Sequence, residues 1–290
     1  LHGNAGTLNV NIGNSSTDAA GVMGGDLTLV DTGSATTDSA IISNTAKLSD
    51  NGNVDVFAGN NLTSTGYENV TISSGAGTVG AAEADIATVT ITPDDTAEAV
   101  SLTINGTNSH HIDTSLTTSS TGLMTVDASG MSAQASGTST LTIDSTSHGT
   151  SGTGSITGSA GDDVISIGNF KTTVDGGAGK DYLTGGTAVD SLNGGDGNDT
   201  ITGGGGNDTL LGGAGNDTFT ISGTSVSVDG GAGNDTIDMD GTLSAGDTVK
   251  GGTGTDTIEI TTAAATGTTS AGVSGFEVLS FAVTGGATQD

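Results

Sequence analysis

Glycine and aspartate recur together in the second half of the chain at a fixed nine-residue step. From Gly158 the units read GSAGDDVIS, IGNFKTTVD, GGAGKDYLT, GGTAVDSLN, GGDGNDTIT, GGGGNDTLL, GGAGNDTFT, ISGTSVSVD and GGAGNDTID, and the pattern returns as GGTGTDTIE at Gly251. The consensus is G-G-x-G-x-D-x-U-x, with U large and apolar. Its sixth position supplies Asp163, Asp181, Asp190, Asp199, Asp208, Asp217, Asp235 and Asp256. The glycines at positions one, two and four include Gly176, Gly177 and Gly179, then Gly194, Gly195 and Gly197, and Gly203, Gly204 and Gly206. The series goes on through Gly212, Gly213 and Gly215 to Gly230, Gly231 and Gly233. Glycine admits backbone angles closed to other residues and leaves carbonyl oxygens free to face a cation, and the aspartate adds a carboxylate. An all-oxygen donor set on a compliant backbone suits calcium, a hard ion that takes about six to eight oxygens in loose geometry. Magnesium demands a tighter octahedron, and zinc would want the His or Cys that these units lack.

Positions seven to nine form a short strand, whose middle residue points inward by the two-residue alternation. That inward series is Ile165, Val174, Leu183, Leu192, Ile201, Leu210, Phe219, Val228 and Ile237, then Ile258. The units IGNFKTTVD and ISGTSVSVD have lost the aspartate and most glycines, yet both keep Val at position eight. Stacking and metal binding are therefore separate demands on the sequence. Ala188 replaces the fourth glycine in the Asp190 unit, and twelve residues, Met239 to Lys250, interrupt the frame before Gly251.

This run closely resembles the RTX family of type I-secreted bacterial proteins. The resemblance implies that two successive units make one turn of a parallel β-roll, with calcium between turns eighteen residues apart on the same edge. One edge would carry Asp163, Asp181, Asp199, Asp217 and Asp235, joined by Asp256 if the twelve-residue segment acts as one long turn. The other edge would carry Asp190 and Asp208. A well-filled row of ions is expected on the first edge and at most one or two ions on the second.

Residues 1–150 lack the nonapeptide and are rich in Thr, Ser, Ala and Gly. Alternating segments recur there: TLNVNI, DLTLVD, NVDVFA, ENVTIS, ATVTIT, VSLTIN, LMTVDA and STLTID. Each reads as a strand with one apolar face followed by a polar turn. A right-handed β-solenoid continuous with the roll and a separate β-sandwich both fit; GYENVTIS at Gly66 and GFEVLSF at Gly275 look alike and favour the solenoid. Asp31, Asp113, Asp127 and Asp144 follow strands, as turn residues or further ligands. The expected fold is all-β, a right-handed parallel β-solenoid over 1–150, a calcium-bound parallel β-roll over 151–259, and a β segment over 260–290 that continues or caps the solenoid.

Charge narrows the function. Acidic residues number 33 against four basic ones, a formal net charge of −29, and the four are Lys47, Lys171, Lys180 and Lys250, with no Arg. Such a chain repels nucleic acid and anionic membranes, and its compact form needs cations against self-repulsion. A halophilic surface would also be acidic, but its acids would be scattered rather than periodic. Cysteine is absent, so disulfide and thiol chemistry are excluded. No apolar run reaches the length of a membrane helix, and a start at Leu1 is what a fragment would show.

Catalytic candidates are few. His2, His110, His111 and His148 show no His-Glu-x-x-His spacing. Polysaccharide lyases of the parallel β-helix type commonly use Arg as base, which is missing here. Asp94-Asp95 and Asp162-Asp163 suggest glycoside hydrolysis only weakly, since neighbours on a strand face opposite ways. The expected function is therefore non-catalytic: a calcium-dependent structural surface protein, resembling RTX-type S-layer proteins, that assembles with copies of itself and meets cell-surface polysaccharide. The alternatives are a segment of a large adhesin or biofilm-matrix protein, and the calcium-binding C-terminal domain of a secreted hydrolase.

Overall fold

A computed structural model describes residues 7–12, 27–30, 39–44, 60–65, 67, 69–74, 86–92, 99–106, 112–115, 117–118, 123–131, 141–144, 152–222, 226–239, 243, 246–261 and 272–282. The chain divides into two compact units, Leu1–Thr172 and Thr173–Asp290. All regular structure among the described residues is β-strand.

In the first unit, strands alternate between two parallel rows. One row runs Thr7–Ile12, Ser39–Asn44, Asn69–Ser74, Val100–Gly106, Leu123–Met131 and Thr153–Thr157. The other runs Leu27–Val30, Asn60–Thr65, Ile86–Thr92, Ile112–Ser115, Leu141–Asp144 and Val164–Ser166. Each strand pairs with the strand after next, which is the topology of a parallel β-solenoid and not of an antiparallel sandwich. The register stacks like on like. Ala40 faces Val70, Val70 faces Leu102, Leu102 faces Val126 and Val126 faces Ile156, and all five are buried. Most of the alternating segments named above lie on these strands. NVDVFA falls outside the described residues, while SAIISN, NNLTST and TGSIT are strands that the sequence pattern did not single out. Asp127 lies where the register slips between Asp127 and Gly130, and its Oδ1 accepts the N–H and hydroxyl of Ser129 at 3.0 and 2.6 Å. It fixes a bulge, as a local turn residue does.

The second unit repeats the alternation with shorter coils. Its rows are Lys171–Ala178, Ser191–Asp196, Thr209–Ala214, Ser227–Ala232, Thr248–Thr253 and Val273–Ser274, and Tyr182–Thr184, Thr200–Thr202, Thr218–Ile221, Thr236–Met239, Thr257–Thr261 and Val278–Ala282. Position eight of each nonapeptide forms the core. Val174, Leu192, Leu210, Val228 and Val249 stack in one row, and Leu183, Ile201, Phe219, Ile237 and Ile258 in the other. Every one is buried. Thin layers of single side chains suffice because backbone pairing, not a wide core, organises the coil.

Phe219 is fully enclosed, 0 % exposed between Ile201 and Ile237. Truncation to Ala is expected to cost about 3–5 kcal/mol through lost burial and the cavity left behind. Leu211→Ala, at an outward site 41 % exposed, is expected to stay within about 0.5 kcal/mol. Urea midpoints in saturating calcium compare the two; equal shifts would contradict the assigned register.

Candidate metal centres

The edges of the second unit carry the aspartates, and every one of them is built into the backbone twice. On the first edge the N–H of Asp181 donates to Oδ1 of Asp199 at 2.8 Å, Asp199 to Asp217 at 2.8 Å, Asp217 to Asp235 at 2.8 Å and Asp235 to Asp256 at 2.9 Å. In return each aspartate carbonyl accepts from the residue after the next rung, as Thr218 N–H does to Asp199 and Thr236 N–H to Asp217. The result is a ladder of buried carboxylates with one oxygen fixed and the other turned away. Oδ2 of Asp217, Asp235 and Asp256, and of Asp208 on the second edge, is buried with no hydrogen-bond partner. An uncompensated buried carboxylate oxygen is costly, so three in register on the first edge and one on the second point to a cation that is their partner.

The other oxygens around these atoms are main-chain carbonyls. A Cβ placed on Gly194 would meet Oδ2 of Asp199 and, at 2.7 Å, the carbonyl oxygen of Gly212 on the next turn. The same pair of atoms, an aspartate Oδ2 and the following turn's glycine carbonyl, surrounds Gly176, Gly212 and Gly230. First-position glycine thus leaves the space toward which oxygens from two turns converge. Backbone angle is not the reason for it. The left-handed φ values belong to positions two and four, such as Gly195 at 108° and Gly197 at 146°, where L side chains are disfavoured. Among the described residues no three His, Cys, Asp or Glu side chains gather; the donors are one carboxylate per turn plus carbonyls, a hard-oxygen set that fits calcium.

The second edge is shorter. Asp190 N–H donates to Oδ1 of Asp208 at 2.9 Å, and Oδ2 of Asp190 accepts from Gly186 N–H at 3.1 Å. This turn closes despite Ala188, whose carbonyl faces Gly206. The next sixth position is Val226, buried and without a carboxylate. Its N–H nonetheless donates at 3.0 Å to Oδ1 of Asp247, a buried residue that the sequence reading passed over. The twelve-residue segment from Met239 to Lys250 therefore stands in the place of one unit, and Asp256 follows Asp235 on the first edge. The segment's last nine residues, TLSAGDTVK, are a weakened unit with Asp247 at position six and Val249 at position eight, and the spacing across it widens from 18 to 21 residues. Asp-x-Val was the surviving signal, masked by the three-residue shift of frame.

Asp163 belongs to the first unit and is held differently. Its Oδ2 accepts the N–H of Ser159 at 2.6 Å and its Oδ1 the Ser159 hydroxyl at 2.9 Å. Ser at the second position of this unit supplies a local donor for the oxygen that an inter-turn N–H takes in the ladder. In IGNFKTTVD the sixth position is Thr172, buried, its hydroxyl donating to the Phe170 carbonyl at 3.0 Å.

Burial dominates the ladder's electrostatics. It pushes the Asp217 carboxyl up to about 7 and that of Asp208 up to about 6, against the lowering effect of the N–H bond each accepts, and neighbouring carboxylates push further in the same direction. Asp235 is raised for the same reasons. A carboxyl whose folded value lies above its ordinary one stabilises the fold below the ordinary value, and that contribution is lost as pH rises through the folded one. The cation-free roll is accordingly expected to hold more β structure at about pH 5 than at about pH 8, and calcium affinity to fall as protons compete below about pH 7. Circular dichroism in EGTA across that range tests this; a signal that grows with pH would contradict it.

These coils of paired short strands, with carboxylates and carbonyls in register along their edges, define a calcium-binding parallel β-roll. The repeats are RTX calcium-binding nonapeptide repeats: the profile described as RTX calcium-binding nonapeptide repeat (4 copies) matches residues 148–166, 173–191, 184–219, 226–240 and 243–259. Such repeats bind several calcium ions along their length. No curated protein and no solved structure matches the chain. The histidines and the Asp94-Asp95 pair weighed above as catalytic candidates lie outside the described residues. No helix among the described residues is long and apolar enough to cross a membrane.

Proposed function

We propose that this is a calcium-dependent structural protein of the bacterial cell surface, a component of an S-layer lattice, with residues 151–259 as its calcium module. The observation that carries this reading is the register of buried carboxylate oxygens lacking hydrogen-bond partners along one edge of the roll. In a cytosol poor in calcium these carboxylates repel one another across the small inter-turn gap, and the chain stays extended for export. Outside, calcium at about 10⁻⁴ to 10⁻³ M matches the affinity of extracellular modules, and binding energy becomes folding energy. Proteins with RTX repeats are typically secreted and bind calcium outside the cell, which agrees with this sequence of events. The net charge of −29 gives every copy an acidic surface, so calcium has a second use as a bridge between copies or to acidic polysaccharide. Solvent-facing Thr184, Thr209 and Thr218 on the short strands of the roll are in keeping with a structural role.

Negative-stain microscopy of the purified chain with and without calcium tests this. Sheets or filaments that form with calcium and disperse on chelation are expected. Folded single particles at every calcium concentration would refute the lattice and favour an adhesin segment.

A further inference from the structure

The row of carboxylates does not stop at the last nonapeptide. Asp256 N–H donates at 2.8 Å to Oε2 of Glu277, the same kind of bond that each earlier rung makes to the next aspartate at 2.8 to 2.9 Å. The N–H groups of Glu277 and Val278 return to the Asp256 carbonyl at 3.2 and 3.0 Å. Strand pairing explains why a glutamate stands here. Val249 faces Val273 and Lys250 faces Ser274, so Gly275 follows where Gly251 does. On the other row Thr257 faces Val278, so Glu277 stands where Asp256 does. Between these points GGTGTD has been cut to GFE, three residues shorter. The backbone travels less far, and the extra methylene of glutamate brings the carboxylate to the rung. Gly275 takes the left-handed angle, φ 74°, that the tight turn needs.

The cradle is also repeated. A Cβ on Gly251 would meet the carbonyl oxygen of Gly275 and, at 2.7 Å, Oδ2 of Asp256. Asp256 is 0 % exposed and its Oδ2 has no hydrogen-bond partner. The geometry points to a further calcium site between the Asp256 turn and the shortened Gly275-Phe276-Glu277 turn, beyond the residues matched by the repeat profile. Oδ2 of Asp256 and the Gly275 carbonyl are its first ligands, and Glu277 both holds the rung and supplies negative charge. With fewer carbonyls available from a three-residue turn, this site binds more weakly than those formed by complete nonapeptides and fills last.

The inference rests on reading the row as calcium sites, and the test separates the two. The full chain is titrated with calcium by calorimetry as wild type, Glu277→Gln and Gly251→Ala, with amide exchange read in parallel. Gln keeps an acceptor for Asp256 N–H but not the charge; Ala puts a methyl group between the two ligand oxygens. Both variants are expected to bind one ion fewer, or to bind the last ion at least tenfold more weakly, while calcium still protects the amides of Thr218 and Thr236. Calcium should slow exchange at Glu277 and Val278 in the wild type and not in Glu277→Gln. Unchanged stoichiometry and affinity in Glu277→Gln, or calcium-independent exchange at Val278 in the wild type, would overturn the site even if Gly251→Ala does not fold. A wild type that binds no calcium anywhere would instead defeat the reading of the whole row.

Discussion

Chelation of calcium is expected to unfold the roll between Thr173 and Thr261, with loss of its β circular dichroism and of amide protection at Thr200, Thr218, Thr236 and Thr257. Those four amides donate across the first edge to the carbonyls of Asp181, Asp199, Asp217 and Asp235, so they report on turn-to-turn closure directly. The size of the effect follows from mass action. Calcium at ten times its dissociation constant stabilises a site by about 1.4 kcal/mol. The four aspartate-to-aspartate steps of the first edge then supply about 6 kcal/mol, the scale of a whole domain's stability. Part of that figure is relief of the repulsion between carboxylates buried beside one another in the cation-free roll. The core compensates little, because each strand of the roll buries only one or two apolar side chains, as Thr218–Ile221 does with Phe219 and Ile221. Magnesium at equal concentration is expected to restore little, since it keeps its waters and demands a tighter octahedron. Circular dichroism and exchange unaffected by EGTA would be incompatible with this account.

The second large effect is expected at Gly213, where substitution by Val should cost more than about 3 kcal/mol and raise the calcium midpoint more than tenfold. Gly213 has φ 109°, and a Cβ there would meet the carbonyl oxygen of Gly195, with its carbon at 2.9 Å and its Cα at 3.1 Å. These are backbone atoms of the preceding turn, paired with Gly213 in the sheet, and they cannot move aside without opening the ladder on which Asp199 and Asp217 depend. Strain at a left-handed non-glycine residue alone is about 1–3 kcal/mol, more for a β-branched side chain. Gly205, at position three of the preceding nonapeptide, provides the comparison. It has no left-handed angle, and its added Cβ would touch only Thr187 at 3.7 to 3.9 Å. Gly205→Ala is therefore expected to be neutral or slightly stabilising, through reduced freedom of the unfolded chain. Calcium-dependent melting of both variants distinguishes the positions; comparable melting would mean that glycine is tolerated rather than required at position two.

Where a repeat is strict, each unit carries its own instructions. Asp at position six and the apolar residue at position eight were readable because both are local, nine residues from their copies, and the backbone angles that glycine permits allow one shape of turn. The inward series from Ile165 to Ile258 is buried without exception for that reason. The solenoid of the first unit was legible only as a set of strands. Its coils differ in length, so no period announces that Thr7 faces Ser39 or that Ser39 faces Asn69.

Asp247 and Glu277 were invisible for a related reason: each stands 21 residues rather than 18 after the rung whose N–H it accepts, and only the pairing of Val249 with Val228 and of Val278 with Thr257 restores their place. The purpose of the first-position glycines was likewise not in the sequence. Composition allowed for their flexibility; the structure shows that their missing side chains make room where the carboxylate of one turn and the carbonyl of the next converge. The chain by itself supplied the candidate donors of each strict unit, one aspartate and its glycine carbonyls, since residue type and local spacing fix those. Which turns lie next to one another, and so where such atoms meet, was decided by tertiary stacking, because coordination here is shared between segments distant along the chain.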